Sequence, residues 1–365
     1  MFKGFKSLRG KIGVTVISLA VVLALAYAFF SSLPLTNHGT GAAQSSQTFI
    51  SFGTLIQLKA SGELAEEALT EAKGLIYELE GILSAKDGSS EVSHVNSSSG
   101  DGSFVKISEH TFKVIERSLY FSGLSDGKFD VSIKPLSDLW DIEGDNPHVP
   151  SAPEIESALD IVGHEKIRLE RDDGWYAKLG QSGMGVDLGG IAKGYAADLV
   201  YEVFCKHQVN GLVNMGGNIV TVGENPDNPQ GLWRVAIPNP RGDRNDAAMV
   251  LTVSGGLSVV TSGDYERFFI SEDGKRYHHI IDPDTGYPAS NGITSVTIIG
   301  PSSMDSDALS TSVFLSGIID GMELVESFDG FECVIITEDG DIFVSDGIRD
   351  GQYSLEVLSE DYEVR

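Results

Sequence analysis

The chain has 365 residues, 41% of them hydrophobic and 22% charged, which is ample for a buried core and unlike a disordered chain. Its formal net charge is −27, from 53 acidic and 26 basic side chains. A surface so acidic repels nucleic acid and anionic lipid, so any phosphate ligand needs a local cation, either a lysine or a metal.

Residues 1–35 run against that balance. Lys3, Lys6, Arg9 and Lys11 precede Ile12–Phe30, an uncharged apolar run about long enough to span a bilayer. The basic start puts the N-terminus in the cytoplasm and the body outside, on the extracytoplasmic (periplasmic) side of the cytoplasmic membrane. The segment reads as a signal-anchor, although Ala24–Ala26 and Ala26–Ala28 both offer a signal-peptidase pattern. A linker of small and polar residues, 36–47, leads to a folded body over 48–365.

In chain order, Phe49–Leu58 predicts a strand with Gly53-Thr54 inside it, and Glu63–Leu83 a helix with apolar residues three and four apart. Ser84–Asp101 is a polar loop in which Ser90-Glu91 suggests a helix cap. Phe112–Ser122 reads as a helix, Phe129–Ile133 as a short strand, and Glu154–Val162 as a short helix. Ile167–Leu179 predicts a hairpin turning at Asp173-Gly174. Asn210-Gly211 reads as a helix stop, before a strand pair turning at Gly216–Asn218. Further strands are expected at Trp233–Ile237, Met249–Ser254, Phe268–Ile270, Tyr277–Ile281 and Ser295–Ile299. Thr261–Tyr265 reads as a small-residue loop, Ser306–Leu315 as a helix, and Cys333–Val344 as a hairpin around Asp339-Gly340. Clustered strands with few intervening helices indicate an α+β fold. Cys205 and Cys333 both read as small core residues; they could pair, but their spacing does not require it.

Three stretches carry candidate chemistry. Val186–Leu199 reads as the end of a buried strand, a turn at Gly189-Gly190, and a helix with Lys193 in its first turn. Such a junction frees backbone N–H groups for an anion, although the standard phosphate motifs are absent and, on these residues alone, a tight strand–helix connection is the simpler explanation. On the helix near Ser306, Asp307 and Thr311 stand one turn apart on one face, hard oxygen donors suited to Mg²⁺, although on these residues alone a solvated aspartate and a threonine bonded back to its own helix are the simpler explanation. The strand Tyr277–Ile281 carries adjacent histidines that point to opposite faces, so one of them could be a general base.

Together these stretches resemble the ApbE-type flavin transferases, which move FMN from FAD onto a protein threonine. The resemblance covers about Thr48 to Thr337 and rests on motifs in family order. These are Phe52-Gly53-Thr54, Ser90–Asn96, Phe129–Ser132 with Pro135, Leu136 and Trp140, and DLGGIAKGYAAD from Asp187. They continue with Asn214–Asn218, Thr261–Tyr265, HHIIDPDTGYP from His278, and DALST from Asp307. The resemblance implies a T-fold-like body of antiparallel sheets and packed helices, with FAD in a cleft between two lobes. It implies that Asp187 and Lys193 contact FAD, and that Phe52, Lys128, Phe129, Asp130 and Ile281 line the cleft. It also implies a Mg²⁺ site from the Gly190 carbonyl, Asp307 and Thr311, with Ser310 as a further ligand, and His279 as the catalytic base.

Two positions depart from the family pattern: Phe52 stands where methionine is common, and Lys86 where an aromatic usually stacks on the flavin. The implied partner is an exported or membrane flavoprotein, such as a subunit of an ion-pumping electron-transfer complex, with an acceptor motif near S-G-A-[ST]. This chain lacks that motif, so it is not expected to modify itself. If water attacked instead of threonine, the same site would be an FAD pyrophosphatase; without catalysis it would be a surface flavin-binding protein.

Overall fold

In the computed structural model, which describes residues 44–243, 246–272 and 274–365, the chain opens on a β-hairpin. Strands β1 (Gln44–Ser51) and β2 (Thr54–Ser61) turn through Phe52 and Gly53, at φ of 50° and 66°. This two-residue turn matches the twist of its strands, but it places an aromatic residue in left-handed backbone, at a cost of about 1 kcal/mol. The single strand expected over Phe49–Leu58 is therefore two. The signal-anchor over 1–35 lies outside the described residues, as does the linker up to 43; Gln44–Gln47 already belong to β1. Among the described residues no helix is long and apolar enough to cross a membrane.

Helix α1 (Ala65–Leu83) buries Ala68, Leu69, Ala72, Ile76, Leu79 and Leu83 along one face. The suggested cap is real: the Ser90 hydroxyl accepts from the Ser93 N–H at 2.9 Å and starts α2 (Glu91–Ser97). Strand β3 (Val105–Ile107) and helix α3 (Glu109–Leu124) follow. Phe129–Ile133 is a turn rather than the expected strand. Asp130 Oδ1 accepts from the Ser132 N–H at 2.7 Å and from its hydroxyl at 2.6 Å, and this side-chain turn overrides a short apolar run. Helix α4 (Lys134–Trp140) begins on Pro135, α5 (Ala152–Leu159) on a capping box, and β4 (Ile167–Arg171) pairs with β5 (Trp175–Leu179) as expected.

Helix α6 (Ala192–Lys206) runs into β6 (Asn210–Met215), so Asn210-Gly211 lies inside a strand instead of stopping the helix. The remaining elements are β7 (Asn218–Val222), β8 (Trp233–Pro238), β9 (Ala247–Val253), β10 (Ser258–Gly263), β11 (Phe268–Ile270), β12 (Arg276–His278) and β13 (Ile293–Gly300), then α7 (Ser303–Ser316), α8 (Ile318–Glu326), β14 (Glu332–Thr337), β15 (Asp341–Val344), α9 (Asp346–Arg349), β16 (Ser354–Val357) and β17 (Glu363–Val364). Thr261–Gly263, expected in a loop, complete β10, which is held between β7 and β13.

Among the described residues one sheet of nine strands runs β1-β2-β6-β7-β10-β13-β14-β15-β17, antiparallel except for the last pair. Successive side chains face opposite ways, so Val296, Ile298 and Ile335 meet helices α1, α6 and α7, whereas Val259, Ile299 and Val334 meet the three-stranded sheet β16-β9-β8. With both faces covered, β13 is buried at every residue. The result is the expected α+β architecture of antiparallel sheets with packed helices. Helix α7 is buried nearly all round although it is rich in serine. Two of its hydroxyls find partners on β10, Ser306 with Ser258 at 2.8 Å and Ser310 with Ser262 at 2.7 Å. Cys333 is buried and Cys205 exposed, correcting the core reading of the latter, and both are free thiols.

Candidate active site

The glycine turn is approached by an extended segment rather than by the end of a sheet strand. The Asn96 side-chain amide stands in for a neighbouring strand: its Oδ1 accepts from the Val186 N–H at 2.7 Å and its Nδ2 donates to the Val186 carbonyl at 3.0 Å. The Asp187 N–H donates to the Val131 carbonyl at 2.9 Å. Asp187 Oδ1 then accepts from the Gly189 N–H at 2.9 Å, and among the described residues Oδ2 has no donor, so it is open to a ligand. Lys193 reaches back to the Gly189 carbonyl at 2.8 Å, and its ammonium lies 3.7 Å from Asp307 Oδ1.

Helices α6 and α7 bring the oxygen donors together. The Gly194 N–H would, in an uninterrupted helix, donate to the carbonyl of Gly190 four residues back. Gly194 is in the first turn of α6, where that bond is not made; its N–H donates to Asp307 Oδ2 at 3.0 Å, and among the described residues the Gly190 carbonyl accepts no hydrogen bond. A Cβ built on Gly190 would stand 3.6 Å from Thr311 Oγ1 and 3.1 Å from the Phe129 ring. Gly190 therefore packs against Thr311 and the Phe129 ring, and Asp307, one turn before Thr311, is held to the same helix start through Gly194. The Ser310 hydroxyl pairs with Ser262 at 2.7 Å and donates to the Asp307 carbonyl at 2.9 Å, and Thr311 Oγ1 lies 3.5 Å from the same carbonyl. Among the described residues no three His, Cys, Asp or Glu side chains form a metal cage. A carboxylate, a hydroxyl and a carbonyl fit a magnesium ion, which keeps waters and takes further oxygens from a substrate phosphate.

The two histidines part company. His278, the last residue of β12, is buried: the Ile280 N–H donates to its Nδ1 at 3.3 Å, so Nε2 carries the proton and donates to the Ala289 carbonyl at 2.9 Å. Both nitrogens are spent, and the ring packs edge-on against Phe314. His279 just beyond the strand takes the opposite tautomer, with Nδ1 donating to the Arg267 carbonyl at 3.3 Å and Nε2 left with its lone pair. Burial, and then the Arg267 charge, lower its pKa to about 4; Lys193 also lies close enough to contribute. His279 is thus neutral at pH 7.

The other expected residues occupy a looser wall. Glu80 holds the Phe52 turn, accepting from its N–H and from the Ser51 hydroxyl at 2.7 Å each. Beside Gly53 a recess of about 330 Å³ is lined by Glu143, Arg267 and Phe268, whereas a slightly larger groove over Arg117 and Tyr195 holds none of the expected residues. Lys86 and Arg267 both reach Glu143, at 3.0 and 2.5 Å. Burial would raise the Glu143 carboxyl, but Arg267 and Lys86 hold it down at about 2. Lys128 pairs with Asp284 at 2.7 Å and Asp282 at 3.5 Å, beside the buried Ile281. The Asp130 carboxylate is consumed by Ser132 and, through Oδ2, by the His164 N–H and ring at 3.0 and 3.1 Å.

Sequence reasoning assigns no individual role to Asn96, Glu80, Glu143 or Arg267. Asn96 closes the Ser90–Asn96 motif, which was the available signal; the other three work through contacts distant in sequence.

The comparisons with known proteins agree on one group. The ApbE family model matches residues 52–335. A curated FAD:protein FMN transferase of Treponema pallidum is 35% identical, covering 78% of this chain and 80% of the relative, and one of Klebsiella pneumoniae is 35% identical over 74% and 82%. Among solved structures, the ApbE protein of Thermotoga maritima superposes with a TM-score of 0.76 at 32% identity, covering 84% of this chain and 98% of that one. The flavin transferase ApbE of Vibrio cholerae gives 0.74 at 28%, covering 85% and 99%.

Proposed function

The chain belongs to the ApbE family and is an FAD:protein FMN transferase, and from that premise we propose that it uses Mg²⁺ to pass FMN from FAD to a threonine hydroxyl, releasing AMP. The threonine oxygen forms a bond to the FMN phosphorus, the pyrophosphate bond breaks, and AMP leaves with the bridging oxygen. Asp307, Thr311 and the Gly190 carbonyl would hold the metal. When bound, Mg²⁺ supplies charge neutralisation on the transferred and leaving phosphates.

The chain's own residues do the rest. Lys193, the cation beside Asp307, faces the phosphates, and the free Oδ2 of Asp187 accepts from FAD. His279 Nε2 takes the acceptor hydroxyl's proton; a diphosphate nearby would draw its low pKa upward, towards a more effective base. Phe52, Lys128, Phe129 and Ile281 shape the cleft, and Asp130 fixes the turn that carries Lys128 and Phe129. The acceptor would be an exported or membrane flavoprotein with an S-G-A-[ST]-like motif. The enzyme would be anchored to the outer face of the cytoplasmic membrane by Ile12–Phe30.

The observation that supports this reading is that Gly190 packs against Thr311 with no hydrogen bond to its carbonyl among the described residues, while the Gly194 N–H holds Asp307 close by. Asp307→Ala should therefore lower covalent flavin transfer to an acceptor fragment by about a hundredfold or more, with no rescue by excess Mg²⁺. Undiminished transfer by that variant, or full wild-type activity in EDTA, would contradict it.

A further inference from the structure

Helices α6 and α7 exchange carboxylates. Asp307 on α7 accepts the Gly194 N–H in the first turn of α6. Asp198, on α6, points the other way. Its Oδ1 accepts from the Ser303 N–H at 2.7 Å, and its Oδ2 accepts from the Met304 N–H at 2.9 Å and the Ser302 hydroxyl at 3.0 Å. The first N–H groups of a helix have no partner inside it, and its N-terminus favours an anion. Each helix therefore caps the other with a carboxylate from its own side.

The crossing point allows no slack. A Cβ on Gly194 would come 2.2 Å from the Ser303 carbonyl oxygen, so the two backbones touch between the two caps. The α7 N-terminus is braced a second time, by Arg117 of α3, whose Nε and Nη2 each donate to Asp305 at 2.7 Å. Ser302 also keeps a local cap, accepting from the Asp305 N–H at 3.2 Å. These leave α7 able to form without Asp198, but without the contacts that fix its height along α6.

We propose that Asp198 is a positioning residue: the reciprocal cap sets the register of α7 against α6, and so places Asp307 and Thr311 opposite Gly190. The inference rests on the metal reading of that site. Asp198 touches none of the proposed ligands and acts through the helix that carries two of them.

The test is made on the full chain with Asp198→Ala and Asp198→Asn. Flavin transfer is followed against Mg²⁺ concentration, and Mn²⁺ binding is measured separately by the loss of its free electron-spin-resonance signal in the presence of FAD. Asp198→Ala should raise the Mg²⁺ midpoint and weaken Mn²⁺ binding by about tenfold, while saturating Mg²⁺ restores most of the rate. Asp198→Asn keeps one acceptor oxygen and should fall between alanine and wild type. Wild-type Mn²⁺ affinity in both variants, or a lost rate that Mg²⁺ does not restore at unchanged Mn²⁺ affinity, would overturn the positioning role. If the wild-type enzyme itself transfers flavin without a divalent ion, the metal reading fails first, and this inference with it.

Discussion

The two walls of the site are built in different ways. The α6–α7 wall holds its groups on paired helices whose backbones touch at Gly194, and the carboxylates of Asp307 and Asp198 accept backbone N–H groups there at 2.7–3.0 Å. The other group, with the Phe52 turn, Lys86, Glu143, Arg267 and His279, lies on loops, and one of its ties is an ion-pair cluster in which the Lys86 side chain is 72% exposed. Rigid elements can hold metal ligands to the tolerance a metal demands. Loops tied by a partly exposed ion-pair cluster can give way to a bulky flavin and then to an acceptor chain. The α6–α7 wall should thus govern metal and phosphate chemistry, and the loop wall flavin entry and proton transfer.

That division can be broken most forcefully at His279. His279→Ala should reduce transfer by about 10²- to 10⁴-fold, the usual contribution of a general base, while FAD binding followed by flavin fluorescence is retained. The neighbouring His278→Ala should act on the fold instead, since it orphans the Ala289 carbonyl and undercuts Phe314. A cost of about 1–3 kcal/mol in thermal or denaturant unfolding, with transfer largely kept at low temperature, is the expected result. Equal loss of transfer in both variants would erase the distinction drawn from their tautomers.

Next in size is Thr311→Val. It removes a neutral oxygen from the rigid wall and should raise the Mg²⁺ midpoint by about tenfold, rescued by excess metal. Acid should act more weakly. His278 and His279 are both held below the ordinary 6.5, His279 at about 4, so the unfolded chain takes up protons that the folded one refuses, and stability falls as pH drops from 6.5 towards 4. Asp198 opposes this, because burial pushes its carboxyl up to about 6 and its folded form gains a proton over part of the same range. Acid unfolding of Asp198→Asn should accordingly be steeper than that of wild type.

The smallest effect belongs to the exposed tie. Lys86→Ala should alter stability by less than about 1 kcal/mol, but it should make flavin affinity less sensitive to salt between 0.05 and 0.5 M, roughly the range over which such pairs are screened.

The sequence made the hairpins readable wherever Asp-Gly stood between alternating runs, at Asp173-Gly174 and Asp339-Gly340. The order of its motifs made the family readable. It misled where a side chain replaced a backbone partner. Val186 looked like a strand because it is apolar and buried, yet its partner is the Asn96 amide, and Phe129–Ile133 looked like one until Asp130 folded it into a turn. Thr261–Gly263 looked like a loop because small residues have little strand preference of their own; β7 and β13 on either side impose it. Asp198 stood at the end of a motif already noted, but its partners lie over a hundred residues away, and no local pattern could show them.

The most direct test of the account is the product made by the wild-type enzyme from FAD, Mg²⁺ and an acceptor fragment carrying an S-G-A-T segment. Mass spectrometry should find the fragment heavier by one phosphoester-linked FMN on its threonine, with one AMP released per flavin bound, and neither product in EDTA. Free FMN and AMP with an unmodified fragment would contradict the transfer reading and make the site a hydrolase; intact FAD bound with no turnover would contradict catalysis altogether.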